Sequence, residues 1–126
     1  MLKNCDSSAI VAVVDLDRAI KFYSEVLGLE RVGEASAELA AFRTGETQLI
    51  VYRSAEAGTN RANAVVWGCG DDLDAIVGTL EAKGVSFELY PEMPGIKIDG
   101  NVHVSGDMRL VWLTDPDGNI LHLNNL

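Results

Sequence analysis

The chain has 126 residues, a formal net charge of −9 and a pI near 4.5, and 48% of its residues are hydrophobic. That length supports one compact core, and the acidic balance disfavours nucleic acid and anionic membranes, whose phosphates need clustered Lys and Arg. No apolar run approaches the ~20 residues of a membrane helix, and the opening "MLKNCDSSAI" lacks the basic start and apolar stretch of a leader, so a cytoplasmic protein is expected.

The first apolar stretch, "AIVAVV", reads as a strand. Asp15 then caps a helix whose Leu16, Ala19, Ile20, Tyr23, Val26 and Leu27 recur at helical spacing, and Gly28 suits its left-handed end. "LERVGEA", "ELAAFRT" and "TQLIVYRS" follow as strands, with Thr44-Gly45 marking a hairpin. Residues 55–62 are small and polar and read as a linker. Both cysteines, Cys5 and Cys69, are expected as reduced thiols, because no CxxC pair is present.

The pattern then repeats. "NAVVWGCG" is a strand, and Asp71 or Asp72 caps a helix carrying Leu73, Ile76, Val77 and Leu80 and closing at Lys83-Gly84. "VSFELY", "MRLVWLTD" and "NILHLNN" are strands, with a long Pro- and Gly-punctuated loop from Pro91 to Gly106 after the first of them. The turn "DPDGN" is explained by turn chemistry alone: Pro116 presets φ, and Gly118 takes a positive φ. An Asp-Leu-Asp opens each helix, at Asp15 and Asp72, so one strand-helix-three-strand unit is written twice. Module one is expected over about residues 5–54 and module two over about 63–126, within a single domain.

"VVDLDRAIKFYSEVLGL", "DLDAIVGTLEAKGVSFE" and "WLTDPDGNILHL" together resemble the vicinal oxygen chelate superfamily, the glyoxalase, bleomycin-resistance and extradiol-dioxygenase group. The resemblance spans almost the whole chain. It implies an α+β fold of two β-α-β-β-β modules, each a mixed sheet curled into a cup with its helix outside. It also implies a homodimer and a small-molecule ligand. In the enzyme branch of that group, one divalent metal held by His, Gln or Glu polarises two neighbouring substrate oxygens.

Carried onto this chain, the first-strand ligand position falls on Ser8, and its counterpart in module two falls among Asn63, Ala64 and Val65. The last strand of module one offers Gln48 and Tyr52; the last strand of module two offers His122, where the group has Glu. Ser is a poor ligand beside imidazole or carboxylate. No cofactor or metal is therefore expected. If a metal is bound, His122 and His103 would hold it, with Asp107 or Glu92 completing a facial set.

Three roles stay open for His122: a half-buried hydrogen-bonding residue, a contact to ligand in a metal-free pocket, or a metal ligand. Strand alternation puts it on one face with Ile120 and Asn124, away from Leu121 and Leu123. Trp112 and Trp67 either line the same cup as aromatic walls or pack in the core, Tyr52 can offer a hydroxyl, and Tyr90, Met93 and His103 belong to a loop that either covers the cup or runs over the surface. The expected function is binding of a small organic molecule, with Ser8, Tyr52, Trp67, His103, Trp112 and His122 in contact with it. The rivals are a metal-dependent lyase, isomerase or dioxygenase using His122 and His103, and a metal-free enzyme with His122 as general base.

Overall fold

The computed structural model describes residues 1–34 and 36–126. Ala35, the last residue of the strand expected from "LERVGEA", lies outside the described residues. The fold is α+β, with two mixed sheets built on β-α-β-β-β-like modules. It divides into two compact units, Met1–Thr59 and Asn60–Leu126.

In the first unit β1 (Ala9–Val13), β2 (Glu30–Val32), β3 (Leu39–Thr44) and β4 (Thr47–Arg53) form a four-stranded sheet in the order β1-β4-β3-β2. β1 and β4 pair in parallel; the other pairs are antiparallel. Val11, Val13, Ala40, Phe42, Leu49 and Val51 share one buried face by register. Tyr23 packs on Phe42 with ring centroids 5.9 Å apart, which puts the helix on that face. Helix α1 (Leu16–Lys21) starts as expected: Asp15 Oδ1 accepts from the Arg18 N–H at 3.1 Å. It does not run on to Leu27 as an α-helix. Phe22–Val26 is a π-helical turn, in which the Leu27 N–H reaches back to the Phe22 carbonyl at 3.1 Å. The wider turn accommodates two adjacent rings, Phe22 edge-on to the fully buried Tyr23 at 5.3 Å.

The second unit holds β5 (Asn63–Gly68), α2 (Leu73–Ala82), β6 (Phe87–Glu88), β7 (Lys97–Asp99), β8 (Val102–Ser105), β9 (Met108–Thr114) and β10 (Ile120–Asn124). The sheet order is β5-β10-β9-β8-β7, with β6 also pairing β9. Residues 91–106, expected as a loop, contain the hairpin β7–β8, which adds strands to the repeat. Gly100-Asn101 turns between β7 and β8, and Gly106-Asp107 turns between β8 and β9, with φ of 60° and 59° at the glycines. A short Gly-X connection between strands is a hairpin signal in its own right. The cap expected on α2 also differs. A short 3₁₀ turn, Gly70–Asp72, precedes it, and Asp72 makes no side-chain cap bond.

Arg109 and Asp74 fix which face of the second sheet carries α2. Their guanidinium and carboxylate meet at 2.8 Å. Val111 and Leu113 share the face of Arg109 by alternation, and Leu121 and Leu123 join them by register. Those four are buried, as are Leu73, Val77 and Leu80 of the helix. Burying such aliphatic side chains contributes roughly 1.5–3 kcal/mol each.

Candidate functional site

The opposite face of the second sheet carries a different chemistry. Register places His122 beside Trp112, Trp112 beside Glu88, and His103 beside Leu110, all on the side away from α2. Three rings gather on Trp112. His122 stacks on it with centroids 4.6 Å apart, while His103 and Tyr90 meet it edge-on at 4.8 and 5.3 Å. The indole N–H donates to Asn63 Oδ1 at 3.1 Å, which fixes its rotation. Edge-on and offset arrangements of this kind are the favourable ones for aromatic quadrupoles.

The turn "DPDGN" aims this face. Asp115 Oδ1 accepts from the N–H groups of Asp117 and Asn119, both at 2.9 Å, and Oδ2 accepts from Asn119 Nδ2 at 2.8 Å. Gly118 takes φ 85°, and the Asp115 N–H closes on the Asn119 carbonyl. The turn thereby sets the register of β10 on β9, and a slip of one residue would send His122 to the helix side.

Hydrogen bonding defines the state of each imidazole. His122 is 9% exposed, and its Nδ1 lies 3.0 Å from the Val111 carbonyl. A carbonyl only accepts, so Nδ1 carries the proton and Nε2 presents a lone pair. Asn124 Nδ2 faces that lone pair at 3.5 Å, a long contact. Burial holds the His122 imidazole below its ordinary value; the Val111 bond opposes this, and neighbouring His103 adds to the drop. His122 is thus a neutral acceptor at neutral pH. His103 is fully buried, with both nitrogens engaged: Nδ1 donates to the Leu110 carbonyl at 3.2 Å, and Nε2 accepts from the Tyr90 N–H at 2.8 Å. The Tyr90 phenol is raised by burial, with Glu88 and Glu92 adding to the shift, and stays protonated.

The structure brings His103, Trp112 and His122 together. Trp67 is not with them. Its parallel partner is Leu123, which puts it on the α2 side and corrects the expectation of two tryptophans in one cup. His103 is in strand β8, paired with β9, and not in a covering loop. Ser8 and Tyr52 belong to the first unit: Ser8 is exposed just before β1, and Tyr52 lies in β4 on the face away from α1. Glu88 and Asn63 had no signal as partners of Trp112. A two-residue strand and a bulge at the start of the β5–β10 pairing set their positions.

The donor set does not fit a divalent metal. Both nitrogens of His103 are bonded to backbone. Asp107 sits in an exposed turn, where its carbonyl accepts from Asn125. Among the described residues no three His, Cys, Asp or Glu side chains converge, whereas a stable site usually needs about three protein donors.

Among the described residues no helix is long and apolar enough to cross a membrane. The sequence profile described as the Glyoxalase/Bleomycin resistance protein/Dioxygenase superfamily matches residues 7–123. Among solved structures, the chain is similar to a genomically encoded fosfomycin resistance protein, FosX, from Listeria monocytogenes. The TM-score is 0.74 at 15% identity, covering 99% of this chain and 92% of that one. A mutant of that protein, complexed with Mn(II) and dihydroxypropylphosphonic acid, gives 0.72 at 15% identity, covering 99% and 91%. A lactoylglutathione lyase from Agrobacterium tumefaciens gives 0.69 at 21% identity, covering 96% and 92%. At these identities the likeness is one of fold.

Proposed function

The chain belongs to the glyoxalase/bleomycin resistance protein/dioxygenase superfamily, and from that premise we propose that it binds a small, flat, uncharged organic molecule against the His122 face without a divalent metal. The observation that carries this reading is the division of labour between the two histidines. His103 spends both nitrogens on backbone groups, so His122 Nε2 is left as the polar contact beside an aromatic wall. A pocket of that kind fixes a ligand with one directed hydrogen bond and apolar area. Val66, the strand partner of His122 on the same face, is 59% exposed and is the open side of this face.

Charge narrows the ligand. Among the described residues, the strands of the second sheet put no Lys or Arg on the face of His122, while Glu88 adds a carboxylate there. A phosphonate such as the one bound by the FosX mutant would meet no cation from this sheet. A donor O–H or N–H on an uncharged ligand satisfies Nε2. A homodimer is proposed as well, supported by the exposed apolar residues Ile10 and Leu39 on the face of Tyr52 in the first unit and tested by light scattering.

The experiment is elemental analysis of untagged protein, followed by titration with benzamide read in amide NMR spectra. Negligible metal after incubation with each ion, with benzamide shifts that vanish in His122→Gln, is expected. Near-stoichiometric Ni, Zn, Fe or Mn overturns the reading in favour of a metalloenzyme. A second reading is favoured by one observation: Nδ1 pinned to a carbonyl, with the Nε2 lone pair met only by the long Asn124 Nδ2 contact, is how a general base is oriented. It expects turnover that survives chelation and is lost in His122→Gln.

A further inference from the structure

His103 is an odd residue to bury completely. Its position in β8 faces Leu110, and a Leu or Phe would fill the space without a polar atom to satisfy. What an aliphatic side chain could not do is hold Tyr90. The segment 90–96 makes no ladder with the sheet. Its bonds close on themselves, Met93 N–H to Tyr90 carbonyl at 3.2 Å and Ile96 N–H to Met93 carbonyl at 3.3 Å. Pro91 and Pro94 have no N–H to offer. The Tyr90 N–H is tied inward by His103 Nε2 at 2.8 Å, and the phenol ring then stands perpendicular to Trp112.

We infer that His103 is a positioning residue for the binding face: it fixes the Tyr90 ring as a rigid wall over Trp112 and thereby restricts the site to flat ligands. This rests on the binding role proposed above. The site runs from open surface at Val66, across His122 and Trp112, and stops at Tyr90. Trp112 is only 8% exposed, so the wall decides how much of the indole a ligand reaches. With the backbone bond removed, the turn segment loses its anchor, the ring swings, and thicker molecules gain entry. His103 touches no ligand in this scheme.

The test uses the full chain, labelled with ¹⁵N, and two uncharged amides, flat benzamide and bulky adamantane carboxamide. A trans-hydrogen-bond coupling between the Tyr90 amide nitrogen and His103 Nε2 is expected in the unaltered protein. His103→Leu should bind benzamide about tenfold more weakly and bind the adamantane amide more tightly, reversing the preference. His103→Gln, whose amide oxygen accepts and whose amide nitrogen donates, should restore most of the original preference. Tyr90→Ala should copy the selectivity of His103→Leu, and it carries the test if that variant fails to fold. No coupling, or unchanged selectivity in His103→Leu and Tyr90→Ala, overturns the inference and leaves the binding reading standing. An unaltered protein that binds neither amide overturns both.

Discussion

The two units share a plan and differ in what their sheets present. In the first unit, the face away from the helix carries Ile10, Ala12, Leu39, Ala41, Ile50 and Tyr52. Ile10 is 57% exposed there. In the second unit, the equivalent face carries an imidazole-indole stack that is nearly closed to solvent and hydrogen-bonded to backbone. The hairpin β7–β8, which has no counterpart among the described residues of the first unit, supplies His103, and the segment before it supplies Tyr90. The aromatic cluster of the second sheet therefore depends on an added hairpin, while the described residues of the first sheet present an aliphatic face with Tyr52.

The sharpest way to break that contrast is to remove one aromatic ring from each face. Trp112→Ala should cost about 3–5 kcal/mol of stability, because it empties a buried site touched by three other rings. Tyr52→Ala, on an exposed position, should cost less than ~1 kcal/mol. Urea unfolding monitored by far-UV dichroism measures both, and equal losses would refute the difference between the faces.

The turns offer a second, smaller comparison. Asp115→Ala should destabilise by about 2–3 kcal/mol, since it orphans buried donors at Asn119. Thr47→Ala, in the hairpin of the first unit, should change stability by about 0.5 kcal/mol or less, because its hydroxyl bond to the Thr44 carbonyl is exposed. The same unfolding curves report both.

His122 gives the second unit a pH dependence. Its folded value is depressed, so the unfolded chain takes up the proton first. Stability is full above the unfolded value of about 6.5 and falls as pH drops from there toward the lower folded value. His122→Gln should flatten this slope, checked by urea midpoints at several pH values across that window. An unchanged slope would mean that the imidazole is not held neutral by burial. Smallest of all are the surface ion pairs. Arg109→Ala, which loses the half-exposed contact to Asp74, should cost under ~1 kcal/mol, and Arg43→Ala, opposite Glu30, should be near zero. Double-mutant cycles measure each.

The duplicated unit, both helices and the Thr44-Gly45 and "DPDGN" turns were legible in the sequence, because periodicity and turn chemistry are local signals. The placement of His122 opposite Leu121 and Leu123 follows from alternation alone. The hairpin β7–β8 is equally local, with Gly100-Asn101 and Gly106-Asp107 between short apolar alternations, but Pro91, Pro94 and Gly95 just before it are loop formers that mask the strand signal. Three features were beyond local reading. Trp67 and Trp112 look alike in sequence, and only the pairing of β5 with β10 separates their faces. The bonds from His103 to Tyr90 and from Trp112 to Asn63 join residues on separate elements, and no spacing encodes them. The π-helical turn at Phe22–Val26 answers to ring packing, which periodicity does not register.

The order β5-β10-β9 has a consequence for how the protein is made. β10 is the last strand of its sheet to leave the ribosome, yet it lies between β5 and β9, so β5 has no partner until β10 arrives. The same holds in the first unit, where β4 separates β1 from β3. Each half therefore waits for its closing segment before its early strand can dock, and the pairings that complete it are distant ones, the slow kind. His122 travels on that closing segment. His122 is thus delivered by the final step of assembly, so a nascent chain stalled before β10 has Tyr90, His103 and Trp112 but not the imidazole that stacks face-on against the indole.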